Sequence, residues 1–463
     1  MYHFKTFATL TIAAAAAAAA ALGTAYAAAP SGQKLTVFGA IAAGNAAGTI
    51  PAYTGGLAAH PKAADETPYP FATEKPRLVI TAKNYKQYAD KLDAATKILF
   101  ERYPNYRMEV YPTRRTASYP ESVLKRTAEN ATTCKYTDNK LGLTKGCRGG
   151  LPFPHPATGR EVMWDHVLAY PGEARNLDSF SIFRAAGQPT VIASHAPVQY
   201  QMTYYQKNPA HPEWFQAQIG DVVGPASIQG LRQLQVYFLD PKDNGGRMKK
   251  TWVYTPGLRR TRVAPNASHD TPLQGAGGTI NYGEQNLFSG MMDRFDYKLV
   301  GRVEMFVPYN EYKSLYGCGD KVGYFNSSIA KVMQTNFLDP NCRRWELHRL
   351  YKVVGTLKPG MHDTYSKKVY YFDEDNFLAG LYEAYDHSGN LIRAGFQGTL
   401  AYAHCQCSIA AFETFYNLNK RTYSLSAFAP AEYNKAYNEK NVRSTPNPSS
   451  LFDPRAVSGG GVF

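Results

Sequence analysis

The sequence predicts an α+β protein organised around a strongly curved antiparallel sheet, with helices in the minority. Two observations carry this prediction. From about residue 179 the hydrophobic pattern has a period of two, over segments 179–184, 189–195, 198–206, 232–239, 249–255, 295–306, 345–357, 366–373, 379–386 and 390–397. Between several of them stand hairpin signals: Asp240-Pro241-Lys242-Asp243-Asn244-Gly245-Gly246, Asp373-Glu374-Asp375-Asn376 and Asp386-His387-Ser388-Gly389-Asn390. Strands joined in this way run antiparallel, and a long series of them twists and curls. Composition agrees, because 34 Tyr, 23 Phe, 38 Gly and 29 Pro favour short aromatic strands and turns over a helical bundle.

The elements outside that run are read in order. Residues 1–27 form an export signal: Lys5 is a small positive head, Phe7 to Ala21 is an alanine-rich apolar run, and Ala25-Tyr26-Ala27 is a small-x-small cleavage site. A transmembrane anchor is the competing reading, but alanine anchors poorly. Cleavage after Ala27 leaves a periplasmic chain with no later apolar stretch near the ~20 residues a span requires. Residues 28–120 are expected to hold an irregular Gly/Pro/Ala strap, a helix over 81–103 capped by Thr81, and a strand over 106–111. Residues 121–429 hold the curved sheet, with helices over 161–170 and 408–418. The Asn/Ser/Gly-rich tail 430–463 is expected to be loosely held.

With 463 residues, 44% of them hydrophobic, wholesale disorder is excluded and a core can form without disulfides as its main support. The chain nevertheless has six cysteines, and an oxidising compartment favours pairing them. Six cysteines allow 15 connectivities; local pairing across polar loops joins Cys134 with Cys147 and Cys318 with Cys342, leaving Cys405 and Cys407 either as a tight ring or unbridged. A metal site at His404-Cys405-Gln406-Cys407 is the alternative, and it lacks the second ligand pair of a zinc knuckle.

The formal charge is +14, spread except for Arg259-Arg260-Thr261-Arg262. Basic residues at a hairpin end suit lipid head groups, or simply a solvated strand end. Nucleic acid is not expected as the partner of an exported protein. No catalytic constellation is found: there is no Gly-x-Ser-x-Gly elbow, no His-Glu-x-x-His helix and no nucleotide-binding glycine fingerprint. The acidic clusters between strands read as turn chemistry. An enzyme is therefore not predicted, nor a cofactor or a metal. Met202 and Tyr204 share a strand parity, as do Trp252 and Tyr254, Leu347 and Arg349, and Tyr370 and Phe372. Such a face can line a cavity or close a core.

A set of ordered motifs narrows the choice. They are Gly44-Asn45-Ala46-Ala47-Gly48-Thr49-Ile50-Pro51-Ala52-Tyr53-Thr54-Gly55-Gly56-Leu57, Arg102-Tyr103-Pro104, Tyr111-Pro112-Thr113-Arg114-Arg115-Thr116-Ala117 and Gly150-Leu151-Pro152-Phe153-Pro154. Further on stand Trp252 through Arg262, Ala264-Pro265-Asn266, Asp293 through Gly301, Glu346-Leu347-His348-Arg349 and Tyr370 through Asp375. From about 35 to 425 the chain resembles the exported bacterial family of domain of unknown function 1329, which is similar in fold to the LolA/LolB lipoprotein carriers. The six cysteines and the tail depart from the family's usual pattern. The resemblance implies an unclosed half-barrel with helices on its concave side around an apolar cavity. It also implies a hydrophobic small molecule or lipid as ligand, with an RND-type exporter and an outer-membrane protein as partners. It supplies no catalytic residues. On that reading Met202, Tyr204, Tyr237, Trp252, Tyr254, Leu347 and Tyr370 line the cavity, and Arg259, Arg260 and Arg262 stand at its rim. The alternatives are an envelope enzyme acting on a lipid or polymer, and a structural partner of an export complex with a sealed core.

Overall fold

The structure is a computed structural model that describes residues 32–60, 70–264, 269–273, 276, 278–316, 318, 329–378, 380–428 and 442–459. The export signal lies outside the described residues. In chain order the elements are β1 (Leu78–Thr81), α1 (Ala94–Arg102), β2 (Arg107–Val110), α2 (Glu121–Thr133), α3 (Gly159–Val167), β3 (Ala174–Ala185) and β4 (Val191–Gln201). Next come β5 (Trp214–Asp221), β6 (Arg232–Phe238), β7 (Lys249–Thr255), β8 (Arg260–Val263), β9 (Phe295–Pro308), α4 (Tyr312–Tyr316) and α5 (Ile329–Val332). The chain continues through β10 (Trp345–Leu357), β11 (Lys367–Asp373), β12 (Gly380–Tyr385), β13 (Leu391–Tyr402), β14 (Cys407–Asn417), β15 (Thr422–Phe428), β16 (Val442–Arg443) and α6 (Ala456–Gly459).

The strands form one 16-stranded sheet in the order β1-β2-β10-β11-β12-β13-β14-β15-β3-β4-β5-β6-β7-β8, with β9 on β10 and β16 on β3. All pairings are antiparallel except the Trp345–Val110 contact of β10 with β2. The pairing of β15 with β3 fuses the two hairpin runs, and the sheet stays unclosed because, among the described residues, β8 pairs only with β7. Bulges at Ser181/Ile182, Lys352/Val353, Ala384/Tyr385 and Gly398/Thr399 each add local twist, which curves so wide a sheet. Three disulfides join Cys134 to Cys147, Cys318 to Cys342 and Cys405 to Cys407.

Two expected helices differ in the structure. Over 81–103, Thr81 ends β1 and a 3-10 segment runs from Tyr85 to Lys91. After a break at Leu92-Asp93, α1 begins with Asp93, not Thr81, as its cap, its carboxylate accepting from the Ala95 and Thr96 amides. The stretch 408–418 is the strand β14, not a helix. Nearly every residue of β14 is buried, so it shows no alternation, and its Ala410-Ala411 pair looks helix-forming in isolation. By contrast α3 has the start that local chemistry requires, a reciprocal capping box between Thr158 and Glu161.

The main core lies along β9–β15 and takes in α1, α3 and residues of the strap 32–60. A second, smaller core lies on one face of β5–β8, where Trp214, Ile219, Leu234, Val236 and Phe238 pack with Phe452 and Val457. Residues 442–459, inside the tail expected to be loose, are therefore docked by β16 and these two side chains. Among the described residues no helix is long and apolar enough to cross a membrane.

Candidate functional site

The register of β3–β7 sorts side chains onto two unlike faces. Gln216, Tyr237 and Lys249 stand opposite one another in one cross-strand row. Two residues along, Arg175, Tyr200, Gln218, Gln235 and Thr251 form a second row on the same face. Here the Gln218 amide and the Tyr237 hydroxyl both donate to Gln235 Oε1, each at 2.9 Å. Ala217, Ile219, Leu234, Val236 and Trp252 point to the other face, where the docked tail covers them.

Two cavities adjoin the polar-aromatic face. The smaller, about 60 Å³, lies among His166, Arg175, Tyr200, Met202, Tyr237 and Phe288. The larger, about 810 Å³, lies beyond β7 and is lined by residues 244–251 together with Val263, Ala264, His269, Thr271, Met291, Asp293 and Arg294. Ser289 and Gly290 line both, so the two are neighbours across Tyr237 and Lys249.

The larger cavity is electropositive. Its one lining carboxylate among the described residues, Asp293, is held by His269 at 3.2 Å, and Arg294 pairs with Asp270 at 2.8 Å and with Asp363 at 3.5 Å. Arg247, Lys249 and Lys250 have no carboxylate within ion-pair distance among the described residues. The Lys249 ammonium instead lies 4.4 Å from the Tyr282 ring centre and 5.7 Å from that of Tyr237. Burial without a counter-charge pushes it down to about 7. In the smaller cavity the Arg175 guanidinium lies 4.2 Å over the Tyr200 ring.

A second cluster of chemistry-bearing residues lies in the main core, where the separate sequence motifs meet. Asp373 accepts from the Asp375 and Asn376 amides, as turn chemistry requires. The turn is nevertheless buried. Asp375 receives a bidentate pair from Arg115 at 2.8 and 2.6 Å, and Glu374 receives Arg302 at 2.9 Å and Arg349 at 3.0 Å. The His348 ring lies 3.1 Å from both Glu346 and Asp373 and stacks on Tyr309. Burial pulls the imidazolium down, but the carboxylates of Asp373 and Glu346 prevail and hold it at about 9.

The same arginines reach the strap. Arg302 donates to the Gly39 carbonyl, Arg349 to Ile41 and Ala43, and Arg115 to Pro51. This cluster is thus a charge-balanced lock between strap and sheet. His348, Asp373 and Asp375 do bring three donor atoms within 4.8 Å, a spacing that could hold a metal. However, Arg115 already engages both oxygens of Asp375, and His348 sits as a cation between two carboxylates. At the other sulfur-rich spot, Cys405 and Cys407 are joined to each other and His404 Nε2 meets the Val442 carbonyl at 2.7 Å.

The ten residues singled out from sequence fall in four places. Met202 and Tyr237 line the smaller cavity. Tyr204 is fully buried, its hydroxyl donating to the Gly150 carbonyl at 2.8 Å, and Leu347 and Tyr370 are core residues, Tyr370 lying behind Phe288. Trp252 and Tyr254 pack on the tail-covered face, opposite Tyr237. Arg259, Arg260 and Arg262 are exposed at the β7–β8 end and line neither cavity. The cavity cations Arg175, Arg247, Lys249 and Lys250 are not among the ten. Their only sequence signal is the position of Lys249 in β7, on the parity opposite to Trp252.

An unclosed antiparallel sheet, a strap fastened across it by buried arginines, and cavities on one polar-aromatic face define a curved-sheet class of protein. The chain belongs to the family described as "Protein of unknown function (DUF1329)", which it matches over residues 79–457. It is 34% identical over 415 residues to the uncharacterised protein PA3922 of Pseudomonas aeruginosa, covering 86% of each chain. It is also similar to a solved DUF1329 family protein of Desulfovibrio piger, with a TM-score of 0.42 and 11% identity over 65% of this chain and 97% of that one. For the LolA superfamily protein NE2245 of Nitrosomonas europaea the TM-score is 0.36 and the identity 11%, over 64% of this chain and 98% of the other.

Proposed function

We propose that this protein is a non-catalytic periplasmic carrier that shelters a hydrophobic or amphiphilic small molecule in the cavities beside β7. The observation that supports this reading is the larger cavity of about 810 Å³, a size typical of small-ligand sites, adjoining an aromatic-walled smaller one. Met202 and Tyr237 are the lining residues carried forward from the sequence. Arg259, Arg260 and Arg262, at the β7–β8 end, suit contact with a head group or an anionic surface during loading or release. An RND-type exporter and an outer-membrane protein are the partners this role calls for.

Native mass spectrometry of the mature chain purified from a periplasm, followed by organic extraction, tests the reading. A stoichiometric hydrophobic adduct is expected. A chain that is apo, and remains apo after incubation with envelope lipids, would refute it.

A further inference from the structure

The larger cavity holds an excess of positive charge that the described residues do not neutralise. Arg247, Lys249 and Lys250 line it without a carboxylate partner among the described residues, whereas the buried arginines of the strap lock each have one. The described residues 269–273 and 278–292 contain two acidic residues, and both already have cationic partners. Asp270 pairs with Arg294, and Glu284 pairs with Arg393 and accepts from the Tyr365 hydroxyl. Lys249 is the most constrained of the three cations, half-buried at the wall between the two cavities with Tyr237 and Tyr282 as its ring neighbours.

A cation kept out of water costs stability unless an anion meets it. Lysines in strands that need only solubility keep their ammonium groups in water, as long aliphatic stems allow. Lys249 is set against rings instead: its cross-strand partner is Tyr237, and its ammonium lies 4.4 Å from the Tyr282 ring centre at the wall of the larger cavity. Apolar surface adjoins it: Met248, Val263 and Met291 line the same large cavity, and Met202, Tyr237 and Phe288 line the small neighbouring one together with His166 and Arg175. Charge and apolar space therefore stand side by side, in the order in which an acidic head and its tail are joined.

Resting on the carrier reading above, we infer that the occupant is an anionic amphiphile whose carboxylate or phosphate head is received by Lys249, with Arg247 alongside. Ion pairing and charge-assisted hydrogen bonding to the head are made only by the charged ligand, so an alcohol of equal chain length forgoes them.

The test uses the delipidated mature protein and displacement of the neutral fluorophore N-phenyl-naphthylamine by dodecanoate, dodecyl phosphate, dodecanol and inorganic phosphate. The two acidic amphiphiles are expected to displace the probe at about one tenth of the dodecanol concentration or less. Lys249→Met is expected to erase that preference and Lys249→Arg to keep it. Equal displacement by acid and alcohol in the wild type overturns the inference while leaving the carrier reading intact. A preference that survives in a folded Lys249→Met protein overturns it in the same way. Displacement by inorganic phosphate as effective as by dodecyl phosphate means a free-anion site and overturns the amphiphile. If neither the probe nor any amphiphile binds, the carrier reading falls and this inference with it. Should Lys249→Met fail to fold, the wild-type comparison of acid with alcohol decides by itself.

Discussion

His348 offers a quantitative test of the strap lock. Its ring lies between Glu346 and Asp373, with Asp375 close by and Tyr309 stacked on its face. Folding raises its pKa from the ordinary 6.5 to about 9. Protonation is therefore coupled to folding, and the corresponding stabilisation is roughly 3 kcal/mol. Because the native value is the higher one, this contribution is fully present below about pH 6.5 and is lost as pH rises through about 9. His348→Gln keeps the size and polarity of the side chain but cannot hold the charge. Urea unfolding of wild type and variant, followed by circular dichroism, should show the variant weaker by about 3 kcal/mol near pH 6, with the gap closing substantially towards pH 9.5. Lys249 acts in the opposite sense, since its native value of about 7 lies below the ordinary 10.5, and it destabilises until the pH exceeds that ordinary value. It is present in both proteins and cancels in the difference. A gap that stays constant with pH would refute the argument, showing a neutral native ring and a lock held by arginines alone.

Three further outcomes are expected. Arg115→Leu strips the bidentate partner from buried Asp375 and should cost about 3–5 kcal/mol, with new protease cleavage in the strap near Pro51 as a local readout. Gly39→Ala should destabilise by at least about 2 kcal/mol in urea, because Gly39 has φ +88° and a Cβ there would lie 1.6 Å from the Pro154 carbonyl oxygen. Trp252→Ala should lower the melting temperature by emptying the tail-covered core yet leave N-phenyl-naphthylamine uptake unchanged, whereas Tyr237→Ala should reduce uptake. Reversal of that pattern would place the ligand on the wrong face.

Individual elements show where sequence reading succeeds. β6, β7, β10, β11 and β12 are legible as strands because β-branched and aromatic residues and flanking turn residues mark them locally. β14 is not, because burial on both faces removes alternation, the signal by which a strand is told from a helix. α2 escapes notice since it buries only Val123, Thr127 and Asn130, too sparse a stripe to stand out. Among the candidate lining residues, parity correctly groups Trp252 with Tyr254, but parity does not say which face is inward. Phe452 and Val457, about 200 residues further on, settle that face by docking against it.

The sheet-dominated class, the antiparallel hairpin runs and the family can all be read without coordinates, because alternation, turn chemistry and ordered motifs are local properties of the chain. What those residues do depends on the folded arrangement. Arg115, Arg302, His348, Arg349 and Asp373 to Asp375 become a lock only when strands distant in sequence share one dry core, where unpaired charge is costly. Lys249 becomes conspicuous only when its surroundings are known, since an ordinary surface lysine and a cavity lysine differ in what lies within a few ångströms of the ammonium.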